Sequence, residues 1–509
     1  MDGPNSHSGI ADPQPIPTIP ARSTAPTGIS AGRVIAIADE KKTSLLDLSP
    51  LPFSIIFRYL KLRDIHRLQQ ACNHLHDAVK KDNALAKAWY RQFPAHHQYQ
   101  LRATITTKNE SQLRDWLQSF TNDKALVGSL TDRRQESVYS PALLYFTKTQ
   151  LMSDCEKFNL VSKSIIYEKA IINSAALSAD GRHLVTANRD NKAIIYRHTI
   201  DGSWAVKSTI PHQSMVLSAT FSPDSQHVVT VSWDGTAKLY SLGGDESWEQ
   251  KVIISHRHTA SSATFSTDSR HVITSGWDNT AKIHSQNDDG SWRLTAIFSH
   301  NNFVTSATFS ADSHQVVTSS YDRTAKIHCQ KTDGSWEEKG VIPHDELVNA
   351  ASFSLDGHHV VTASKDSKAK IYSKEADGSW VQKAIIPHDA EVNSATFSPD
   401  GRHAVTASDD GIVKIIGQKA NGLWEEKIIF KHKYGVLSVT FSPDARHVVT
   451  ASRDNTAKII GEKDDGTWSE KASIVHCSTI SSATFSADGS HVVTGSWDHS
   501  VEITELQRT

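Results

Sequence analysis

Val392-Asn393-Ser394-Ala395-Thr396-Phe397-Ser398-Pro399-Asp400-Gly401-Arg402-His403-Ala404-Val405-Thr406-Ala407-Ser408-Asp409-Asp410-Gly411 is the stretch on which the fold turns. Residues Val392 to Phe397 alternate as a half-buried strand does, and Pro399, Asp400 and Gly401 turn the chain. His403 to Ala407 read as a second strand rich in Val and Thr, followed by a turn at Asp409, Asp410 and Gly411. Val413 to Ile416 predict a third strand. Asn421 and Gly422 give the signal of a two-residue hairpin, and Trp424 to Phe430 predict an outer fourth strand.

This unit recurs without a slip every 44 residues. A tryptophan stands at Trp204, Trp248, Trp292, Trp336, Trp380, Trp424 and Trp468, and a histidine at His212, His256, His300, His344, His388, His432 and His476. An aspartate recurs at Asp190, Asp234, Asp278, Asp322, Asp366, Asp410, Asp454 and Asp498, and a serine at Ser178, Ser222, Ser266, Ser310, Ser354, Ser398, Ser442 and Ser486. A fixed period of this length with strand-like content marks a propeller blade. Eight sets of the first three strands meet only seven tryptophan-bearing fourth strands. Val161 to Glu168 aligns with the missing one, so that Ser164, Ile165 and Ile166 replace Ser208, Thr209 and Ile210. The expected fold is mainly β, an eight-bladed propeller over 158–509 whose last blade is completed by the strand that enters the ring first.

On these residues the repeat resembles the WD-repeat family. Ser398-Pro399-Asp400-Gly401, the aspartate after the second strand and His388 before the innermost strand fit that family's blade. The resemblance implies hydrogen bonds that give the blade aspartate a partner. The tryptophan that names the family is replaced by Tyr196, Tyr240, His284, His328, Tyr372, Ile416, Ile460 and Thr504, so the expectation is an incomplete network, with the outer-strand tryptophan taking over as packing anchor.

Ahead of the ring, residues 1–43 hold Pro4, Pro13, Pro15, Pro17, Pro20 and Pro26 among Ser, Thr, Ala and Gly, a composition expected to be disordered. Residues 44–94 read as three short helices, with Leu48, Leu51, Ile55, Ile56, Tyr59 and Leu60 at helical steps, then Ile65, Leu68, Ala71, Cys72, Leu75 and Val79, then Leu85, Ala88, Trp89 and Phe93. This unit resembles the F-box: Leu60 and Cys72 stand at that family's separation, with Ile56, Phe57, Asp64, Ile65 and Leu68 filling the expected places. The leading Leu-Pro pair departs from it, because Leu51-Pro52 sits late and Leu48 lacks the proline. The resemblance implies docking to a Skp-type adaptor of a cullin ubiquitin ligase through Leu48, Leu51, Pro52, Ile55, Ile56, Phe57, Leu60, Ile65, Leu68 and Cys72. The bland alternative is a small helical domain packed on the propeller. Residues 95–157 read as a helical linker, with helices from about Glu110 to Phe120 and Pro141 to Phe158, that fixes the F-box-like unit against the ring.

Composition narrows the partners. The net charge of −2 makes nucleic acid an unsuitable partner, and no apolar run is long enough for a membrane span or a secretory signal. Cys72, Cys155, Cys329 and Cys477 lack metal or disulfide spacing and suit a reducing compartment, so the expected location is cytoplasmic. The recurrent histidines at His183, His227, His271, His359, His403, His447 and His491 fall one to a blade and cannot converge on one ion, and no catalytic motif is present. Neither cofactor nor metal is expected.

Positions that vary between blades point to function. The residue before each blade aspartate reads Arg189, Trp233, Trp277, Tyr321, Lys365, Asp409, Arg453 and Trp497, and ring closure makes Arg453, Trp497, Arg189, Trp233, Trp277 and Tyr321 consecutive. A second variable column adds Met215, Phe303, Leu347 and Tyr434. Aromatics and arginines in one arc are the residues of binding hot spots, and they suit a peptide of acidic or aromatic character. The expected function is a non-catalytic substrate receptor, with the F-box-like unit holding the ligase and the propeller holding a protein target. The alternative is a WD-repeat scaffold without a ligase link, and a propeller enzyme comes third. The proline-rich leader also resembles secretion leaders of bacterial effectors that borrow host ligases, which would place the protein inside a host cell.

Overall fold

A computed structural model describes residue 65 and residues 83–508, except 107, 122, 133–140, 154, 420 and 464. Mainly β structure follows five helices: α1 (Ala84–Tyr90), α2 (Ala95–Thr106), α3 (Glu110–Gln118), α4 (Lys124–Asp132) and α5 (Pro141–Ser153). The leader and the proposed adaptor contacts other than Ile65 lie outside the described residues. Ile65 itself is helical and fully buried. The chain divides between Ala88 and Trp89, and the second unit carries the ring. Among the described residues, no helix is long and apolar enough to cross a membrane.

Eight four-stranded antiparallel sheets form the blades. In blade 6 the strands are Val392–Phe397, His403–Ser408, Ile412–Gln418 and Trp424–Lys431, each ending within two residues of its sequence-based bounds. The hairpin at Asn421-Gly422 differs from expectation. It is a five-residue connection closed by Lys419 N–H to Leu423 O, with Gly422 at φ 82° supplying a left-handed residue. Blade 8 closes as expected, with Phe158–Tyr167 pairing antiparallel to Ser500–Arg508 and a bulge between Ser162 and Ser164. No blade is left with only three strands.

The second strand of a blade is buried on both faces, as in His227–Ser232, because its neighbours are other blades rather than water. The periodic tryptophan anchors these seams. Trp248 meets His183 of the preceding blade edge-on at 5.7 Å, and the pairs His227–Trp292, His359–Trp424 and His403–Trp468 repeat this at 5.5 Å. The second histidine column is thus seam packing. Nearer the axis, polar side chains of the innermost strands bind the next blade: Asn173 to Val216 O, Thr305 to Val348 O, Asn393 to Val436 O and Ser481 to Ile172 O, at 2.6–2.9 Å. These bonds satisfy carbonyls that an apolar lining would leave unpaired.

The helices behind Trp89 close on the turns between first and second strands of blades 7 and 8. Asn109 and Gln112 form a capping box that starts α3, and Leu113, Trp116 and Leu117 bury its apolar face. The α5 residue Lys148 is buried. Its ammonium donates to the carbonyls of Asp488 (3.0 Å) and Gly489 (3.1 Å) and lies 3.9 Å from the Asp444 carboxylate. Burial lowers the Lys148 pKa although Asp444 and Asp488 oppose it. Burial would raise Asp444, yet Lys148, His447 and Ser442 outweigh it and hold that carboxyl well below its usual range. His97 adds a 2.8 Å bond to Pro443 O, Lys108 a 3.0 Å pair with Asp488, and buried Lys471 of blade 7 reaches Cys155 O.

Candidate functional site

The opposite face carries the loops between second and third strands and between blades. One lock shapes it. In blade 3, His256 Nδ1 donates to Asp278 at 2.9 Å, Thr274 meets Nε2 at 3.0 Å, and the Thr280 hydroxyl and Arg257 N–H donate to the same carboxylate at 2.7 and 3.1 Å. Equivalent His–Asp–Thr triplets hold blades 2 to 8, for example His300–Asp322–Thr318 and His476–Asp498–Thr494. Burial lowers the His256 pKa against the pull of Asp278. Burial would raise Asp498, but the Ser500 and Cys477 hydrogen bonds prevail and bring it down to about 2. The network is therefore more complete than the loss of the family tryptophan implied, because histidine, aspartate and threonine bond to one another without needing the indole.

Blade 1 is the exception, and its departure was missed in the sequence. Glu168 stands where the others have histidine. It accepts from Thr186 (2.5 Å), Asn188 (2.6 Å) and Tyr196 (3.0 Å), and one oxygen of Asp190 is buried without a hydrogen bond. Burial and the Glu168 carboxylate push the Tyr196 hydroxyl far up, so it stays a donor.

The lock sets the two variable columns side by side. Trp233 N–H donates to Met215 O (3.0 Å), Trp277 to Thr259 O (2.9 Å) and Tyr321 to Phe303 O (2.8 Å). The same bond joins Lys365 to Leu347, Asp409 to Glu391 and Arg453 to Gly435. Gly435 thus holds the second-column place of blade 7, and exposed Tyr434 lies one residue before it.

Around the rim the first column splits into two sectors. In blades 2 to 4, Trp233 and Trp277 lie 6.3 Å apart, Trp277 and Phe303 stack parallel at 5.0 Å and 6°, and Phe303 meets Tyr321 at 6.0 Å. The Arg189 guanidinium of blade 1 lies 4.8 Å over the Trp497 ring of blade 8, with Nε tied to Asn173 at 3.2 Å. Trp233 is 48% and Trp497 37% exposed, Arg189 is exposed, and Trp277, Phe303, Tyr321 and Met215 are half-buried. Blades 5 to 7 are different. Lys365 pairs with Glu391 at 3.1 Å, and Arg453 pairs with Asp409 at 2.9 Å. Arg453, expected in the arc, is thus spent on the ion-paired sector. The helices α2 and α5 dock on the other face.

Comparison with known proteins agrees with this geometry. No curated protein matches the chain. The crystal structure of Saccharomyces cerevisiae Sqt1 superposes with a TM-score of 0.59 at 13% identity, covering 69% of this chain and all of that one, which shows the shared fold. The family described as WD domain, G-beta repeat matches residues 204–241, 248–285, 292–328, 336–373, 380–416, 424–460 and 469–504. The unmatched first copy is the one with Glu168 in place of histidine. With seven matched units over the ring, the chain belongs to the WD40 repeat family.

Proposed function

We propose that the propeller is a non-catalytic scaffold that captures an exposed segment of another protein on the arc of blades 8 to 4. One observation carries this: Trp233, Trp277, Phe303 and Tyr321 touch in series at the solvent surface. Core aromatics are shielded by their neighbours, whereas rings that reach water in an unbroken row offer large, rigid contact area at little entropic cost. Replacing Trp233 and Trp277 together by alanine should abolish co-purification of partners from extract while the Tm stays within a few degrees of wild type. Undiminished capture by the double variant overturns the reading.

The finer reading is a substrate receptor of a cullin-type ubiquitin ligase. Its support is the Leu60–Cys72 spacing within 44–94, together with an anchored connection: the helices that follow this segment are fastened to blades 7 and 8 by buried Lys148 and Lys471, on the face away from the arc. Purified Skp-type adaptor should retain the wild type and lose the Leu51→Asp, Ile56→Asp double variant. If the wild type is not retained, the ligase reading falls and the scaffold stands.

A further inference from the structure

We infer that the segment captured on the arc is an acidic peptide with an aromatic or large apolar anchor, running along the rim from blade 8 to blade 4; this rests on the arc being the interaction surface. The charge pattern on the face is the basis. In the loops of blades 8 and 1 to 4, the carboxylates are the blade aspartates and Glu168; all but Asp190 are held in the blade hydrogen-bond network, and Asp190 pairs with Lys192 at 3.4 Å. Beside them, Lys169, Arg189, Arg257 and Arg323 are exposed and have no carboxylate partner among the described residues. Arg257 precedes by two residues the carbonyl that accepts Trp277 N–H, and Arg323 follows Tyr321 by two, so both cations flank the aromatic steps.

Blades 5 to 7 reverse this. Asp345, Glu346, Asp389, Glu391 and Asp409 crowd their loops, and Lys368, Lys365 and Arg453 neutralise three of them. Exposed Glu346 and Asp389 are left over, against a single cation without a carboxylate partner among the described residues of these loops, Lys433, which lies over Tyr434. An acidic ligand is therefore attracted by one sector and repelled by the other, which fixes where it lies as well as what it is. A basic ligand would be drawn to blades 5 and 6, where no ring series waits for it.

Length and anchor follow from the ring spacings. Steps of 6.3, 5.0 and 6.0 Å from Trp233 to Tyr321 match roughly five residues of extended chain. The parallel, half-buried pair Trp277–Phe303 offers an apolar step against which an aromatic side chain can pack. Arg189 lies over the Trp497 ring with Nε engaged, which leaves its terminal N–H groups for a carboxylate beyond the anchor.

Random dodecapeptides displayed on phage and selected on the full chain test this. Asp or Glu should be enriched within a few positions of Trp, Phe, Tyr or Leu. The selected peptide should bind at least about tenfold more weakly to the Arg257→Glu, Arg323→Glu variant and lose most of its salt dependence there. Both arginines are exposed, so this variant keeps its fold, checked by Tm. Enrichment of basic or neutral sequences that still depend on Trp277 overturns the acidic-peptide inference and leaves the arc an interaction surface. Selection indifferent to Trp233 and Trp277 overturns both. Oligouridylate that displaces the peptide at equal concentration also overturns the inference, since stacking rings and arginines would then be serving single-stranded nucleic acid.

Discussion

Two populations of tryptophan share this ring and live in opposite environments. Trp248, Trp292 and Trp468 belong to the 44-residue series and are buried in seams between blades. Trp233, Trp277 and Trp497 stand before the blade aspartate in three blades of eight, and two of them are the most exposed indoles of the face. The difference is one of neighbours. A seam residue is packed by the next copy of its own unit, so whatever fits once must fit at every junction. A rim residue is packed by nothing internal, and its identity is free to follow an outside partner.

Acid should break the repeated set first and hardest, because it acts on every blade together. Burial lowers the pKa of the lock histidines His212, His256, His300, His344, His388 and His432, against the pull of their aspartates. Burial, with the nearby Lys282, brings His284 down to about 4; His328 falls to about 4 by burial, against the pull of Glu338. A depressed histidine pKa gives stability that is complete above the ordinary value near 6.5 and is lost as pH falls toward the folded value. His284 and His328 alone lose on the order of 2 kcal/mol each by about pH 5. The Tm should drop by roughly 5–10 °C or more between about pH 7 and about pH 5. The partnered carboxylates respond only lower, Asp454 and Asp498 lying at about 2. Tyr240 and Tyr372 occupy the same place in sister blades, so His284→Tyr with His328→Tyr should flatten part of the slope. A Tm independent of pH across this range would break the assignment.

What could be read from the sequence follows the same division. The blade count, the strand bounds and the closing role of the first strand were legible because a period leaves no freedom once one copy is understood. The nearness of Trp233, Trp277 and Tyr321 was legible because blades 2 to 4 follow one another along the chain, and that of Trp497 and Arg189 once closure made blades 8 and 1 neighbours. Arg453 was not, since its partner Asp409 lies one blade back and pairing is invisible in a column of single letters. Glu168 hid because it lies in the strand-closing segment, where the repeat signal is weakest. Arg257 and Arg323 hid beside residues that the lock keeps constant. The helix α2 (Ala95–Thr106) gave no apolar periodicity, because its anchoring contacts to the ring include polar ones such as His97 to Pro443 O.

The sharpest test of the comparison sets one indole of each kind against the other. Trp292 is 8% exposed and meets His227 edge-on at 5.5 Å within the core of blades 2 and 3. Its replacement by alanine opens a cavity that rigid strands on both sides cannot collapse into, and should cost about 3–5 kcal/mol by denaturant unfolding. Trp233, nearly half exposed with one ring neighbour at 6.3 Å, should cost under about 1 kcal/mol on the same substitution. Capture of the partner should invert the order: Trp233→Ala loses it at full stability, while Trp292→Ala keeps it below its lowered Tm. Equal costs for the two would mean that repetition does not separate structure from binding in this ring, and the rim would have to be counted as core.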